Sequence, residues 1–167
     1  MRVAVLTVSD AGSRGERKDT SGDAAVAWAS ARGYTLAERA LVPDDSHEIV
    51  RALLRWCDGG VVDLVLTTGG TGLSPRDVTP EATRAVIERE APGFAELMRA
   101  SVLVAFPQAA LSRATAGVRG RTLVVNLPGS TGGVKDGLKA LEPIIDHAVA
   151  TVRGDPDVHC AVCTDKA

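Results

Sequence analysis

A glycine-rich loop and two aspartates are the residues of this chain whose types and spacing best suit phosphate chemistry. Residues 67–72 read Thr-Thr-Gly-Gly-Thr-Gly and follow a run of apolar residues. Glycines let backbone N–H groups approach a bound anion closely, and successive amides can form a concave anion site. Asp44 and Asp77 each lie just before a predicted helix start. Together with the loop they suit Mg²⁺, which usually takes one or two carboxylates plus substrate phosphates.

Each of these features also has a purely structural interpretation. The loop at 67–72 could be a tight turn, and a carboxylate near a helix start could simply offset the helix dipole. The loop matches neither the Walker P-loop, G-x-x-x-x-G-K-S/T, nor the dinucleotide fingerprint, in which G-x-G-x-x-G opens a helix. If it binds a nucleotide or a phosphate, it does so as a loop of another kind. Arg76, next to Asp77, could bind a phosphate through two hydrogen bonds.

The elements that must position these residues alternate along the chain. Apolar runs predict strands at 3–8, 35–42, 61–67, 112–118 and 121–126. Helical spacing and breaking residues predict helices at about 21–31, 46–56, 80–90, 93–105 and 131–153. This alternation predicts an α/β fold, a three-layer α/β/α sandwich with a mainly parallel sheet. Loops that leave the carboxyl ends of parallel strands converge on one edge, where such folds bind ligands.

Local signals predict where the helices begin and bend. Ser21 and Thr79 are the predicted N-caps of two helices, and Asp45 stands at capping-box spacing before a third. Pro143 is expected to kink the last helix. Residues 9–20, rich in charge and glycine, are expected to be flexible.

Length and composition favour one soluble domain. The chain has 167 residues and a net charge of −2, and no basic stripe suggests a nucleic-acid partner. No apolar run approaches the roughly 20 residues needed to span a membrane. Met1-Arg2 leads straight into the first strand without a targeting segment, so a cytoplasmic location is expected. We expect a single domain over 1–153 and a flexible tail over 154–167.

The cysteines separate into one core residue and one pair. Cys57 lies in a predicted helix and is expected to be a buried thiol. Cys160 and Cys163 form a C-x-x-C in the tail, a spacing that can be redox-active or half of a zinc site. A frayed tail is the favoured interpretation, because His159 is the only obvious further ligand.

Several motifs, in order and with matching spacing over about 2–153, resemble the molybdopterin adenylyltransferases, the Mog-type enzymes of molybdenum-cofactor biosynthesis. This family is related to the G domain of gephyrin. The motifs lie at 7–10, 19–22, 68–72, 75–82, 111–117 and 126–129.

The resemblance implies a reaction and a role for the two aspartates. The family joins AMP from Mg-ATP to the terminal phosphate of molybdopterin and releases pyrophosphate. Its two essential aspartates fall on Asp44 and Asp77. The attacking phosphate monoester has a second pKa of about 6, so it needs no general base at neutral pH. Asp44 and Asp77 are therefore expected to orient metal and substrate, as candidate Mg²⁺ ligands, because positioning and charge neutralisation dominate such reactions.

The remaining predicted contacts lie on the strand-end loops. The glycine loop would hold phosphate oxygens, and Asn126 with the turn after it would line the pterin or nucleotide side. Ser9 and Asp10 could contact ligand or merely satisfy backbone groups at a strand end. The predicted binding residues are Ser9, Asp10, Thr68, Gly69, Gly70, Thr71, Gly72, Arg76, Asn126, Pro128, Gly129 and Ser130. The chain departs from the family after Gly129, where Ser130-Thr131 stands in place of the Asn-Pro or Gln-Pro that many members have.

Two functions and two modes of assembly remain open from the sequence. The alternative to the enzyme is a non-catalytic, MoaB-type module that binds or carries molybdopterin, and either function could involve other cofactor-biosynthesis proteins. The resemblance implies a homotrimer. The apolar stretch at 92–111 could form part of a trimer contact, or it could complete the core of a single chain.

Overall fold

A six-stranded sheet forms the centre of the computed structural model, which describes residues 1–155. The strands are β1 (Arg2–Val8), β2 (Thr35–Val42), β3 (Leu64–Thr68), β4 (Arg89–Glu90), β5 (Ala116–Arg119) and β6 (Thr122–Leu127). Their order is β2-β1-β3-β6-β5-β4; β2, β1, β3 and β6 run parallel, whereas β5 and β4 are antiparallel to their neighbours. The mainly parallel sheet expected from the sequence is confirmed.

Helices cover both faces of the sheet and complete the predicted three layers. They are α1 (Asp10–Ser13), α2 (Thr20–Ala31), α3 (Ser46–Asp58), α4 (Thr79–Val86), α5 (Gly93–Val102), α6 (Thr131–Leu141) and α7 (Ile145–Arg153). Helices α2, α5, α6 and α7 pack on the face that carries Val3 and Val5. Helices α3 and α4 pack on the face that carries Ala4 and Leu6. Successive residues of a strand point to opposite faces, so an all-apolar strand supplies both cores.

The antiparallel end of the sheet differs from the prediction. Strand β5 begins at Ala116 rather than 112, and the helix predicted to reach 90 ends at Val86. The next residues form β4 instead, because the N–H groups of Glu88 and Ala91, on either side of β4, donate to backbone carbonyls of β5 at 2.8 Å each. Hydrogen bonds to a distant strand therefore outweigh the local helical pattern.

Several helix ends also differ from their predicted positions. Asp19, not Ser21, caps α2 by accepting the N–H of Gly22 at 2.8 Å. Helix α4 begins after Val78 without a side-chain cap, because the Thr79 hydroxyl donates to a loop carbonyl instead. Asp45 caps α3 as predicted. Helix α5 ends at Val102, and a 3₁₀ helix follows at Pro107–Leu111.

Two segments expected to be a kinked helix and a flexible loop have other structures. The helix predicted over 131–153 is divided into α6 and α7. Pro143 has no N–H and interrupts the helical hydrogen bonds, so the helix ends there instead of bending. The first part of 9–20 forms the short helix α1, which Ser9 caps by accepting the N–H of Gly12 at 3.1 Å.

Cys57 is buried as expected, and burial raises the pKa of its thiol to about 11. Cys160 and Cys163, with most of the predicted tail, lie outside the described residues. Within residues 1–155, no helix has the length and apolar character to cross a membrane.

Candidate active site

Four strand-end loops meet at the carboxyl edge of the parallel strands and enclose a cavity of about 380 Å³. Ser9 follows β1, Asp44 follows β2, the glycine loop follows β3, and Gly129 and Ser130 follow β6. The lining also includes Thr7, Val8, Gly12, Arg17, Lys18, Asp19, Thr20, Ser21, Leu41, Gly69, Gly70 and Asp77. The convergence expected of parallel strands therefore produces one polar site.

The glycine loop is held in a conformation that other residues rarely adopt. Gly69 and Gly70 have φ angles of 99° and 62°, in the range that favours glycine. A Cβ on Gly69 would lie 2.2 Å from the carbonyl oxygen of Val8, and one on Gly70 would lie 2.4 Å from the Thr79 hydroxyl. The Thr79 hydroxyl also donates to the Gly69 carbonyl at 2.9 Å, so the start of α4 fixes the shape of the loop.

Asp44 is locked against Asp10. The Asp10 N–H donates to Asp44 Oδ2 at 2.7 Å, and the Asp44 N–H donates to Asp10 Oδ1 at 3.0 Å. Burial raises the pKa of the Asp44 carboxyl, and the negative charges of Asp10 and Asp77 act in the same direction. Asp44 is thus a half-buried carboxylate whose charge is costly unless a cation neutralises it.

Asp77 lies beside Gly72 of the glycine loop, where an added Cβ would be 2.9 Å from its Oδ2. Its Oδ2 accepts the N–H of Ser74 at 2.8 Å and closes the turn before α4. Arg113 holds this turn from outside, since its Nε donates to the carbonyl of Gly72 at 2.7 Å and its guanidinium also contacts the Asp77 carbonyl. Asp77 lines the cavity, and its Oδ1 makes no hydrogen bond in the described part of the chain.

The predicted phosphate-binding arginine has an internal partner. Arg76 Nε and one of its terminal nitrogens donate to the two carboxylate oxygens of Asp10 at 3.0 and 2.9 Å. These bonds lower the pKa of Asp10 below its usual range. Asp10 is therefore neutralised by Arg76, whereas Asp44 and Asp77 make no ion pair within residues 1–155.

A second cavity, of about 540 Å³, adjoins the first. Its walls include Met98, Val102 and Phe106 from α5 and the chain after it, with Arg99 and Asp136 among the polar residues. The residues common to both cavities are Gly70, Asp77, Gly129 and Ser130. We call these four residues the ridge, because they form the boundary where ligands in the two cavities would meet.

The structure brings most of the predicted site residues to these cavities, but not all of them. Ser9, Asp44 and Gly69 line the first cavity, Thr71, Gly72 and Pro128 line the second, and the ridge residues line both. Asp10, Thr68, Arg76 and Asn126 are in neither lining.

Asn126 and Thr68 are fully buried and serve the framework. Asn126 Nδ2 donates to the hydroxyls of Thr67 and Thr83 at 2.9 Å each. The Thr68 hydroxyl donates to the Pro128 carbonyl at 2.7 Å and so ties the glycine loop to the loop after β6.

Several lining residues were not among the predicted contacts. Arg17 and Lys18 enter the first cavity from the charged segment that the sequence suggested was flexible. The cluster of charged residues between 14 and 19 was the sequence feature that could have indicated their place in the cavity. The role of Arg113 could not be predicted from its place in a motif, because its hydrogen bonds to Gly72 and Asp77, 41 and 36 positions away, depend on tertiary structure.

The carboxylates fit a divalent cation that is shared with a ligand. Asp44 and Asp77 interact electrostatically, and each has one carboxylate oxygen without a hydrogen bond in the described part of the chain. Among residues 1–155, no group of three or more Asp, Glu, His or Cys side chains could by itself hold a metal ion. Any Mg²⁺ here would take further ligands from phosphate and water.

Fold and site together define an α/β protein with a polar, glycine-rich cavity at the carboxyl edge of its sheet, the edge at which such folds bind ligands. Residues 4–147 match the family described as a probable molybdopterin binding domain, and the chain belongs to that family.

Curated proteins and solved structures agree with this assignment. The chain is 40% identical over 157 residues to the molybdopterin adenylyltransferase of Helicobacter pylori strain J99, covering 93% of this chain and 89% of that protein. It is 36% identical to gephyrin of Dictyostelium discoideum, covering 92% of this chain and 23% of gephyrin. The crystal structure of the molybdopterin biosynthesis enzyme MoaB from Thermus thermophilus superposes with a TM-score of 0.88, at 52% identity, covering 93% of this chain and 98% of that one.

Proposed function

We propose that this protein transfers the adenylyl group of Mg-ATP to the terminal phosphate of molybdopterin and releases pyrophosphate. The observation that carries the proposal is the pair of cavities that meet at the ridge, which includes Asp77, with Asp44 lining the first of them. Two substrates must react there, and each cavity can receive one of them. The family match and the named relatives support molybdopterin as one substrate.

The reaction suits a site that positions groups and neutralises charge. An oxygen of the molybdopterin phosphate attacks the α-phosphorus of ATP. The bond from that phosphorus to the bridging oxygen breaks, and its electron pair leaves with pyrophosphate. The attacking and leaving oxygens lie roughly in line in such a displacement. Nucleophile and leaving group therefore need space on opposite sides of the α-phosphorus, as two cavities across a shared ridge would provide.

The chain's own groups have distinct roles in this proposal. Backbone amides of the glycine loop would hold phosphate oxygens at the ridge. Asp44 and Asp77 would hold Mg²⁺, which when bound neutralises phosphate charge. Asp10 and Arg113 would keep these two aspartates in place, through the bonds described above.

The direct test is incubation of the protein with molybdopterin, ATP and Mg²⁺, followed by chromatography of the products. Adenylylated molybdopterin and an equal amount of pyrophosphate are expected. A non-catalytic carrier would instead bind molybdopterin and form no adenylylated product. Omission of Mg²⁺, with a chelator present, is expected to abolish product and so tests the metal requirement.

We further propose that the protein acts as a homotrimer in the cytoplasm, where other cofactor-biosynthesis proteins supply or receive its ligands. Leu103, Val104, Phe106 and Leu111 expose large apolar side chains after α5, and Val104 is 99% exposed. A closed ring of three chains would cover such a patch. Light scattering at micromolar concentration should give three chain masses, and a single-chain mass without change on dilution would contradict the trimer.

A further inference from the structure

Two basic side chains line the first cavity without an acidic partner among residues 1–155. Arg17 and Lys18 are exposed, and neither makes an ion pair or side-chain hydrogen bond in that part of the chain. The nearby arginines differ in this respect. Arg39 binds Asp19 at 2.8 Å, and Arg76 binds Asp10 at 2.9 Å. Arg17 and Lys18 therefore add positive charge to the cavity that no carboxylate of the described chain neutralises.

The segment that carries them is held at both ends. The Glu16 N–H donates to the Ala11 carbonyl at 2.9 Å, and the Thr20 N–H donates to the Lys18 carbonyl at 3.0 Å. Asp19, which follows at once, is bound by Arg39, Gly22 and Thr7. Burial would raise the pKa of Asp19, but these hydrogen bonds outweigh it, and the pKa is lowered. The two cations thus stand beside a fixed point at the start of α2.

The position of the cations distinguishes the two cavities. Arg17 and Lys18 line only the first cavity. The basic residue in the lining of the second cavity, Arg99, already donates to the backbone carbonyls of Ser112 and Ala114 at 3.3 Å each. In an in-line displacement at the ridge, one cavity must accept the leaving group. Pyrophosphate carries several negative charges, so it suits the first cavity, where two cations have neither an ion pair nor a side-chain hydrogen bond among residues 1–155.

We infer that Arg17 and Lys18 bind the β- and γ-phosphates of ATP and then the released pyrophosphate. The inference rests on the proposed function, and it adds which cavity takes the leaving group and which residues hold it. The second cavity is left for the attacking molybdopterin phosphate.

Isothermal titration calorimetry with two small ligands tests this inference without turnover. Inorganic pyrophosphate contains the groups that Arg17 and Lys18 would hold, whereas AMP lacks them. Both ligands are titrated with Mg²⁺ into the wild-type protein, the Arg17→Ala/Lys18→Ala variant and the control Arg14→Ala. Arg14 is on the same segment but pairs with Glu16 and lies outside the cavity lining.

The double variant is expected to lose pyrophosphate affinity at least about tenfold, since two charge-assisted contacts are removed, while its AMP affinity changes less than about twofold. The Arg14→Ala control should bind both ligands like the wild type. Wild-type affinity for pyrophosphate should also fall more steeply with salt than that of the double variant. Because all three side chains are exposed, melting temperatures should agree and exclude misfolding.

Equal pyrophosphate affinity in wild type and double variant would overturn the inference, as would an equal loss for AMP or no measurable pyrophosphate binding by the wild type. These outcomes are separate from the adenylylation assay. Loss of pyrophosphate binding without any product from molybdopterin would support the anion site and contradict the proposed function. Formation of adenylylated molybdopterin, with unchanged pyrophosphate binding in the double variant, would support the proposed function and contradict the anion site.

Discussion

Asp10 and Asp44 each accept a hydrogen bond from the backbone N–H of the other, at 3.0 and 2.7 Å respectively. The exchange joins the ends of two neighbouring strands through residues that are 34 positions apart. Arg76 neutralises Asp10, whereas Asp44 keeps one oxygen beside Gly70 without a partner in the described chain. The pair therefore divides into a positioning residue, Asp10, and a residue with free negative charge, Asp44.

Asp44→Asn is expected to remove most adenylylation activity while leaving the fold intact. The change keeps the shape of the side chain and removes a charge that would hold Mg²⁺, at a cost of several kcal/mol in the transition state. Since the pKa of Asp44 is raised in the folded protein, its ionised form opposes folding at neutral pH, and the variant should melt no lower than the wild type. Asp45→Asn is the matched control, because Asn also caps helices well and Asp45 lines neither cavity. Near-normal turnover in Asp44→Asn would contradict the assigned role.

Asp77→Asn should also abolish most turnover, and the two substitutions should not add. If both carboxylates serve one metal and substrate assembly, Asp44→Asn/Asp77→Asn should be little worse than the poorer single variant. Steady-state rates of adenylylated molybdopterin formation for the wild type, the two single variants and the double variant provide this double-mutant cycle. Fully additive losses would mean that the aspartates act independently.

Gly70→Val is expected to weaken the binding of both ATP and molybdopterin. Gly70 has φ of 62°, and an added Cβ would lie 2.4 Å from the Thr79 hydroxyl and 3.2 Å from Asp44 Oδ1. The substitution therefore disturbs the anion loop and the carboxylate at once. Gly132→Ala is the control, since a Cβ there meets nothing within 4 Å although Gly132 also lines the second cavity. Unchanged calorimetric affinity of Gly70→Val for both ligands would make the loop a structural turn only.

Asn126→Ala should reduce stability more than it affects ligand affinity. The side-chain amide of Asn126 is fully buried. Its nitrogen donates to the hydroxyls of Thr67 and Thr83, and its oxygen accepts the N–H of Thr115 at 3.3 Å. Its removal leaves buried polar groups without partners and should lower the free energy of unfolding by about 2–4 kcal/mol. Urea unfolding, with binding measured on the folded variant, separates the two effects. A stable variant with impaired binding would instead indicate direct contact with ligand.

Asp63→Asn should make the stability of the protein less dependent on acid pH. Burial would raise the pKa of Asp63, but bonds from Arg2 and the charge of Arg153 outweigh it and lower the pKa. A lowered pKa stabilises the folded state above the unfolded value of about 3.9, and that stability is lost as pH falls through the folded pKa.

The Asp63→Asn variant should lose about 2–3 kcal/mol at pH 7, less than a fully buried pair would lose, because Arg2 and Arg153 are 44% and 37% exposed at their side chains. Its deficit should shrink as the pH falls below the unfolded value of about 3.9. Urea unfolding across pH 2–7 measures both quantities. A loss of stability that stays constant over that range would show that the ion pairs of Asp63 do not account for the destabilisation.

The order and type of most elements follow from local sequence. Nearly continuous apolar runs gave strands buried on both faces, and the glycine loop stands directly after β3, as its position in the sequence implied. Asp44 and Asp77 could be expected at one site, because both lie in loops that leave the same edge of a parallel sheet, and both line the first cavity.

Tertiary structure decided which partner each polar group obtains. Arg76 pairs with Asp10, Thr79 bonds the glycine loop instead of capping its helix, and the residues of β4 leave the helical pattern to pair with β5. In each case a partner far away in sequence competes with a local one, and periodicity or capping preference carries no information about that competition. The second cavity and its ridge likewise depend on how α5 and α6 pack beside the strand-end loops. Local patterns fixed the elements and the type of chemistry, whereas long-range hydrogen bonds and packing determined the shape of the site.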